Sequence, residues 1–98
     1  MENIRELLKD PVKLEQSLRA HWTTLDPRGE GSIPGQVFAQ NSKDISMKLQ
    51  IPMSPPTPQE IQNYKKISDP NNTGRITYEG FKAIVKYWVD KARSEGKL

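Results

Sequence analysis

The sequence predicts an all-α fold made of two helix–loop–helix units joined by a proline-rich linker. Two observations carry that reading. One plan of residues occurs twice, at Asp26–Phe38 and at Asp69–Phe81. Apolar residues recur at helical spacing before and after each copy. The 98 residues suit one small domain and are too few for two independent cores. A hydrophobic share of 34% with no cysteine means a lean core with no disulfide to staple it. The unit limits expected are 11–49 and 58–92, with a linker over 50–57 and flexible termini.

Near the start, Ile4, Leu7 and Leu8 make a short amphipathic turn that Pro11 interrupts. Asp10-Pro11 reads as a new helix start, with Asp10 as cap and Pro11 at the first helical position. Leu14, Leu18, Trp22 and Leu25 then form one apolar stripe running into Asp26. Beyond Phe38 the pattern weakens. Val37, Phe38, Ile45 and Leu49 make a broken face, and Asn41-Ser42 fall where apolar residues are wanted. A short, bent or partly solvated helix is expected there. Ile51-Pro52-Met53-Ser54-Pro55-Pro56-Thr57-Pro58 excludes helix and central strand and favours a stiff, extended spacer. Its proline spacing also suits an aromatic-lined groove, and Ser54-Pro55 and Thr57-Pro58 are phosphate-acceptor dipeptides. Thr57, Pro58 and Glu60 compose a capping box. Ile61 and Tyr64 are expected to point inward, and Phe81, Ile84, Val85, Trp88 and Ala92 define the inner side of the last helix.

In each repeated segment an Asp-Pro opens, Gly stands sixth and Ile eighth, and Phe follows the twelfth place. The chain therefore resembles the EF-hand superfamily, as a pair of degenerate hands like those of calmodulin and light chains, over roughly residues 11–92. The resemblance implies a short antiparallel contact between the loops, with Ile33 against Ile76, and left-handed backbone at Gly31 and Gly74. Asp26 and Asp69 lie 43 residues apart, more than the family's usual interval, and the excess falls in the linker.

A calcium loop needs six to eight oxygens and usually a bidentate Glu at its twelfth place. The first copy has Arg28 third, Pro34 ninth and Val37 twelfth, so it is expected to be structural. A bridge from Arg28 to Asp26 and Glu30 would stand in for the cation. The second copy offers Asp69, Asn71, Thr73, the Arg75 carbonyl and Thr77, but ends on Gly80 with Glu79 one place early. Calcium binding there is expected to be weak at most, and no other cofactor is implied.

His21 is the single histidine, and it reads as a packed or rim residue. With no nucleophile elbow, zinc spacing or phosphate-cradling loop, an enzyme is not expected. No apolar run is long enough to span a bilayer and the start carries no signal peptide, so a cytoplasmic protein is expected. The resemblance implies a calcium-independent adaptor or light-chain-like subunit, in a setting such as the cytoskeleton, that holds an amphipathic helix of a larger protein. Met47, Met53, Tyr87 and Trp88 are the candidates for its groove or rim, and Trp22 and Phe38 are expected in the core. Lys82, Lys86, Arg93 and Lys97 collect on one flank of the last helix. The alternatives are a weak calcium sensor using the Asp69 loop, and a basic module on acidic surfaces. The latter is suggested by a net charge of +3 and a pI near 9.3, without nucleic acid being expected.

Overall fold

Four of the five helix starts among the described residues fall where a capping side chain stands. The computed structural model describes residues 3–52 and 57–98. Among them are five helices and one two-stranded antiparallel sheet, in the order α1 (Ile4–Leu7), α2 (Pro11–Leu25), β1 (Ser32–Pro34), α3 (Gly35–Lys48), α4 (Pro58–Ser68), β2 (Arg75–Thr77) and α5 (Tyr78–Ser94). Asp10 caps α2, its side chain accepting the Lys13 N–H with Pro11 in the first turn. Thr57 and Glu60 form both halves of the capping box on α4. The Met53 and Ser54 expectations lie outside the described residues.

The helix–strand–helix order occurs twice, and the strands join the two halves. Ser32 pairs with Thr77, Ile33 with Ile76 and Pro34 with Arg75. Ile33 and Ile76 are both buried, so the β contact is tied to the core beneath it. The β-branched side chains suit such a half-buried strand.

That core is contiguous and centred on α5. Phe81, Ile84, Val85, Trp88 and Ala92 are buried as their spacing predicts, and Val89 joins them. Leu18 and Leu25 of α2 pack there together with Phe38 and Ile45 of α3. Trp22 is half-buried, its ring 5.8 Å from those of Tyr78 and Phe81. The α1 turn is part of the same core: Ile4 is fully buried, and its N–H donates to the Leu49 carbonyl at 2.9 Å.

Two local expectations change. The α3 helix runs unbroken through Asn41-Ser42. Both side chains bond back to helix carbonyls, Asn41 Nδ2 to Val37 O at 2.8 Å and Ser42 Oγ to Ala39 O at 3.0 Å, so their polar groups need no solvent. The helix stops where Gln50 takes a left-handed φ of 59°, which turns Ile51 back into the core. Ile61, expected inside, is 45% exposed. The α4 helix packs chiefly on α5, which covers Ser68 and half-covers Tyr64 but leaves the Ile61 flank open.

Candidate functional site

The two loops follow the same backbone path. Asp26 and Asp69 end their helices at similar angles, φ −125° and ψ 65° against φ −140° and ψ 63°. Gly29 and Asn72 are both left-handed, at φ 67° and 54°, and so are Gly31 and Gly74, at 86° and 79°. Asn is among the few residues with a side chain that tolerate this region, which explains its standing where the first loop has Gly. The repeat in sequence is therefore a repeat in conformation.

Each opening carboxylate binds its own loop. Asp26 Oδ1 accepts the Glu30 N–H and Oδ2 the Gly31 N–H, each at 2.9 Å. Asp69 Oδ1 accepts the Thr73 N–H and the Thr73 hydroxyl, both at 2.8 Å, while Oδ2 accepts the Gly74 N–H at 2.7 Å. The Thr73 N–H in particular, with the hydroxyl and Gly74 behind it, holds the Asp69 carboxyl below the usual aspartate range despite some desolvation. A carboxyl depressed in the folded state stabilises above its unfolded pKa, and that contribution is lost as pH falls through the folded pKa. Urea midpoints are thus expected to fall between roughly pH 5 and pH 2, and less steeply for Asp69→Asn. Equal acid slopes for the two proteins would show that the Asp69 bonds carry no stability.

The remaining sequence-predicted ligands are turned to other work. Thr77 Oγ1 accepts the Gly80 N–H at 3.2 Å and so caps α5. Asn71 is exposed. The Arg75 carbonyl lies 3.3 Å from the Thr73 hydroxyl. Glu79 points along α5 to Lys82, 3.5 Å away. Gly80 has no side-chain oxygen, and no Cβ fits on it: one would stand 2.7 Å from the Ser68 carbonyl oxygen and 3.1 Å from its Cα. Among the described residues no three His, Cys, Asp or Glu side chains converge. Asp69 already accepts three hydrogen bonds of the about four a carboxylate takes, so these residues do not fit a calcium shell.

A cation of the chain's own joins the loops. Arg75 Nε donates to Ser32 Oγ and Nη2 to the Ser32 carbonyl, each at 2.9 Å, and Nη2 lies 3.4 Å from Glu30 Oε2. The Gly35 N–H adds a bond to the Gly74 carbonyl at 3.0 Å. Arg75 and Glu30 are both about half exposed, so their ion pair adds only about 0–1 kcal/mol. Its fixed fork of donors instead sets the spacing of the loops. The bridging guanidinium expected from Arg28 thus comes from the opposite loop. Arg28 is exposed, with no partner among the described residues.

The described residues among the expected partner-binding set differ in burial. Trp88 is 1% exposed, stacked on Phe38 at 6.0 Å, which removes it from any groove. It falls on the side of α5 that faces α3, where the indole is a core pillar. Tyr87 is half-buried, edge-on to Tyr64 at 5.3 Å. Met47 is 63% exposed on α3. The basic flank is also divided. Lys82 is drawn inward by Glu15 at 3.6 Å and sits 5.0 Å over the Tyr78 ring. Lys86 and Arg93 are exposed with no carboxylate partner among the described residues.

Two polar contacts were not foreseen. Lys91 of α5 pairs with Glu60 of α4 in a largely covered bridge. Lys91 holds the Glu60 carboxyl below its ordinary range, and Glu60 holds the Lys91 ammonium above its own. Glu15 reaches from α2 toward α5, and burial first, then Glu15, pushes the Tyr78 hydroxyl up to about 12. Only the inward lean of Glu60, four places before Tyr64 on the packed side of α4, hinted at the first of these. No membrane-spanning helix occurs among the described residues. Against protein-family models, curated proteins and solved structures, no match is found for this chain.

Proposed function

We propose that this chain is a calcium-independent protein-interaction module that holds an amphipathic helix of a larger protein. The observation that supports the reading best is the Arg75 clasp on Ser32 and Glu30. Asp69 is taken up by its own loop, and the clasp ties the two loops together through the chain's own side chains, which supports a shape that does not depend on calcium. A module of this kind has its binding shape at all times rather than on a calcium signal. Val12, Met47, Ile61 and Ile67 supply apolar side chains on the outer helical surfaces, where a partner's i, i+3, i+4, i+7 anchors would seek contact.

The test is capture of a partner with the immobilised chain, mapping of the bound segment to a helical peptide, and titration of that peptide in chelator and in calcium. The two affinities are expected to agree within about twofold, below the roughly fivefold or greater coupling of a genuine effector. Calorimetry with calcium alone is expected to give no saturable heat. A peptide bound only with calcium, or calcium heat that vanishes in Asp69→Ala, would make the chain a sensor instead.

A further inference from the structure

The cluster Thr57–Glu60–Lys91 joins the end of the linker to two helices, and nothing in the loop chemistry uses it. Thr57 is exposed, in extended backbone at φ −78° and ψ 162°. Its hydroxyl oxygen accepts the Glu60 N–H at 3.2 Å, a bond within the same turn. An enzyme could therefore engage the hydroxyl without opening the core. Thr57 is followed by Pro58, and prolines also stand at 55 and 56. Glu60 makes two contacts at once: Oε1 accepts the Thr57 N–H at 3.2 Å, and Oε2 meets Lys91. A basic side chain from α5 is thus fixed within one carboxylate's width of the residue that a phosphate would join.

We propose that Thr57 is a phosphorylation site for a proline-directed protein kinase, and that Lys91 receives the phosphate. In the transfer, Thr57 Oγ attacks the γ-phosphorus of ATP and loses its proton to the kinase's base. The bond from γ-phosphorus to the bridging oxygen breaks, and ADP leaves. The product carries a charge of about −1.5 to −2 near neutral pH, beside a carboxylate that already holds one. Like-charge repulsion separates phosphate and Glu60, and the ammonium follows the greater charge. Glu60 loses its bond from Thr57 and turns toward solvent. The link between linker and α5 then runs through the phosphate rather than through the α4 carboxylate, so the modification alters how α4 is tethered.

The sequence holds two Ser/Thr-Pro dipeptides, so the experiment uses the full chain with Ser54→Ala, magnesium-ATP and a proline-directed serine/threonine kinase. Stoichiometric labelling is expected, and its loss in Thr57→Asn, which keeps a capping side chain and hence the fold. A peptide of residues 50–62 serves as a positive control. A labelled peptide beside an unlabelled folded chain would overturn the site. The phosphate's second pKa, ordinarily about 6, is then read by phosphorus NMR. It is expected to rise by about half a unit to one unit when Lys91→Gln is introduced, and to return with Lys91→Arg. An unchanged value in Lys91→Gln would overturn the assignment of Lys91 as receiver. Circular dichroism of each variant separates that outcome from unfolding.

Discussion

Replacing Trp88 by Ala is expected to cost about 3–5 kcal/mol. The indole is 1% exposed and is the largest fully buried side chain, stacked on Phe38 against the α5 face that organises the core. Nothing nearby is loose enough to fill the space, because Phe81, Ile84 and Leu49 are themselves buried to 1% exposure or less. Small domains have only about 5–15 kcal/mol in all, so the loss takes about a fifth of it or more. In melting temperature this is a fall of more than about 12 °C. Trp88→Phe should cost less, roughly 1–2 kcal/mol, because a phenyl ring keeps most of the indole's apolar volume. Thermal and urea denaturation of both variants decide the matter. If Trp88→Ala melted within a few degrees of the parent and lost only partner binding, the indole would belong to a surface groove.

Trp88 also shows what kind of information a sequence withholds. Its spacing from Phe81, Ile84 and Val85 fixes the side of the helix, but not how deep on that side a ring will sit. Depth depends on what lies opposite, here Phe38 from a segment 50 residues earlier. Features written in neighbouring residues were legible, namely the Asp10-Pro11 start and the Thr57–Glu60 capping box. The left-handed Gly31 and Gly74 and the pairing of Ile33 with Ile76 came with the resemblance. Side-chain contacts that need distant partners were not legible. Arg75 looked like a carbonyl donor to a metal, and only the strand register brings its side chain over Ser32. Ile61 matched an inward pattern, yet no element lies on that flank of α4. Ile4 read as part of a loose turn until Leu49 gave it a backbone partner.

Placing a carboxylate at the twelfth place of the second loop with Gly80→Glu is expected to destabilise the chain without creating a calcium site. Read as a ligand position, Gly80 is an erosion; read as a packing position, it is a requirement. The last residue of α4 rests on the first turn of α5, and a Cβ on Gly80 would stand 2.7 Å from the Ser68 carbonyl oxygen and 3.3 Å from Ile76 Cγ2. Ser68 cannot yield by changing rotamer, since the atoms in the way are backbone. Gly-to-Ala at a helix position returns about 1 kcal/mol in propensity, whereas overpacking costs typically 1–3 kcal/mol or more. With backbone against backbone, the second effect wins. Gly80→Ala should therefore lower stability by about 1–2 kcal/mol, and Gly80→Glu by at least as much. The new carboxylate would also face an Asp69 already committed to Thr73 and Gly74. Denaturation of both variants with and without calcium tests this. Should Gly80→Glu bind calcium and regain stability with it, the α4–α5 junction would be able to part, and the tight seat of Ser68 on Gly80 would not be what keeps this loop from being a metal site.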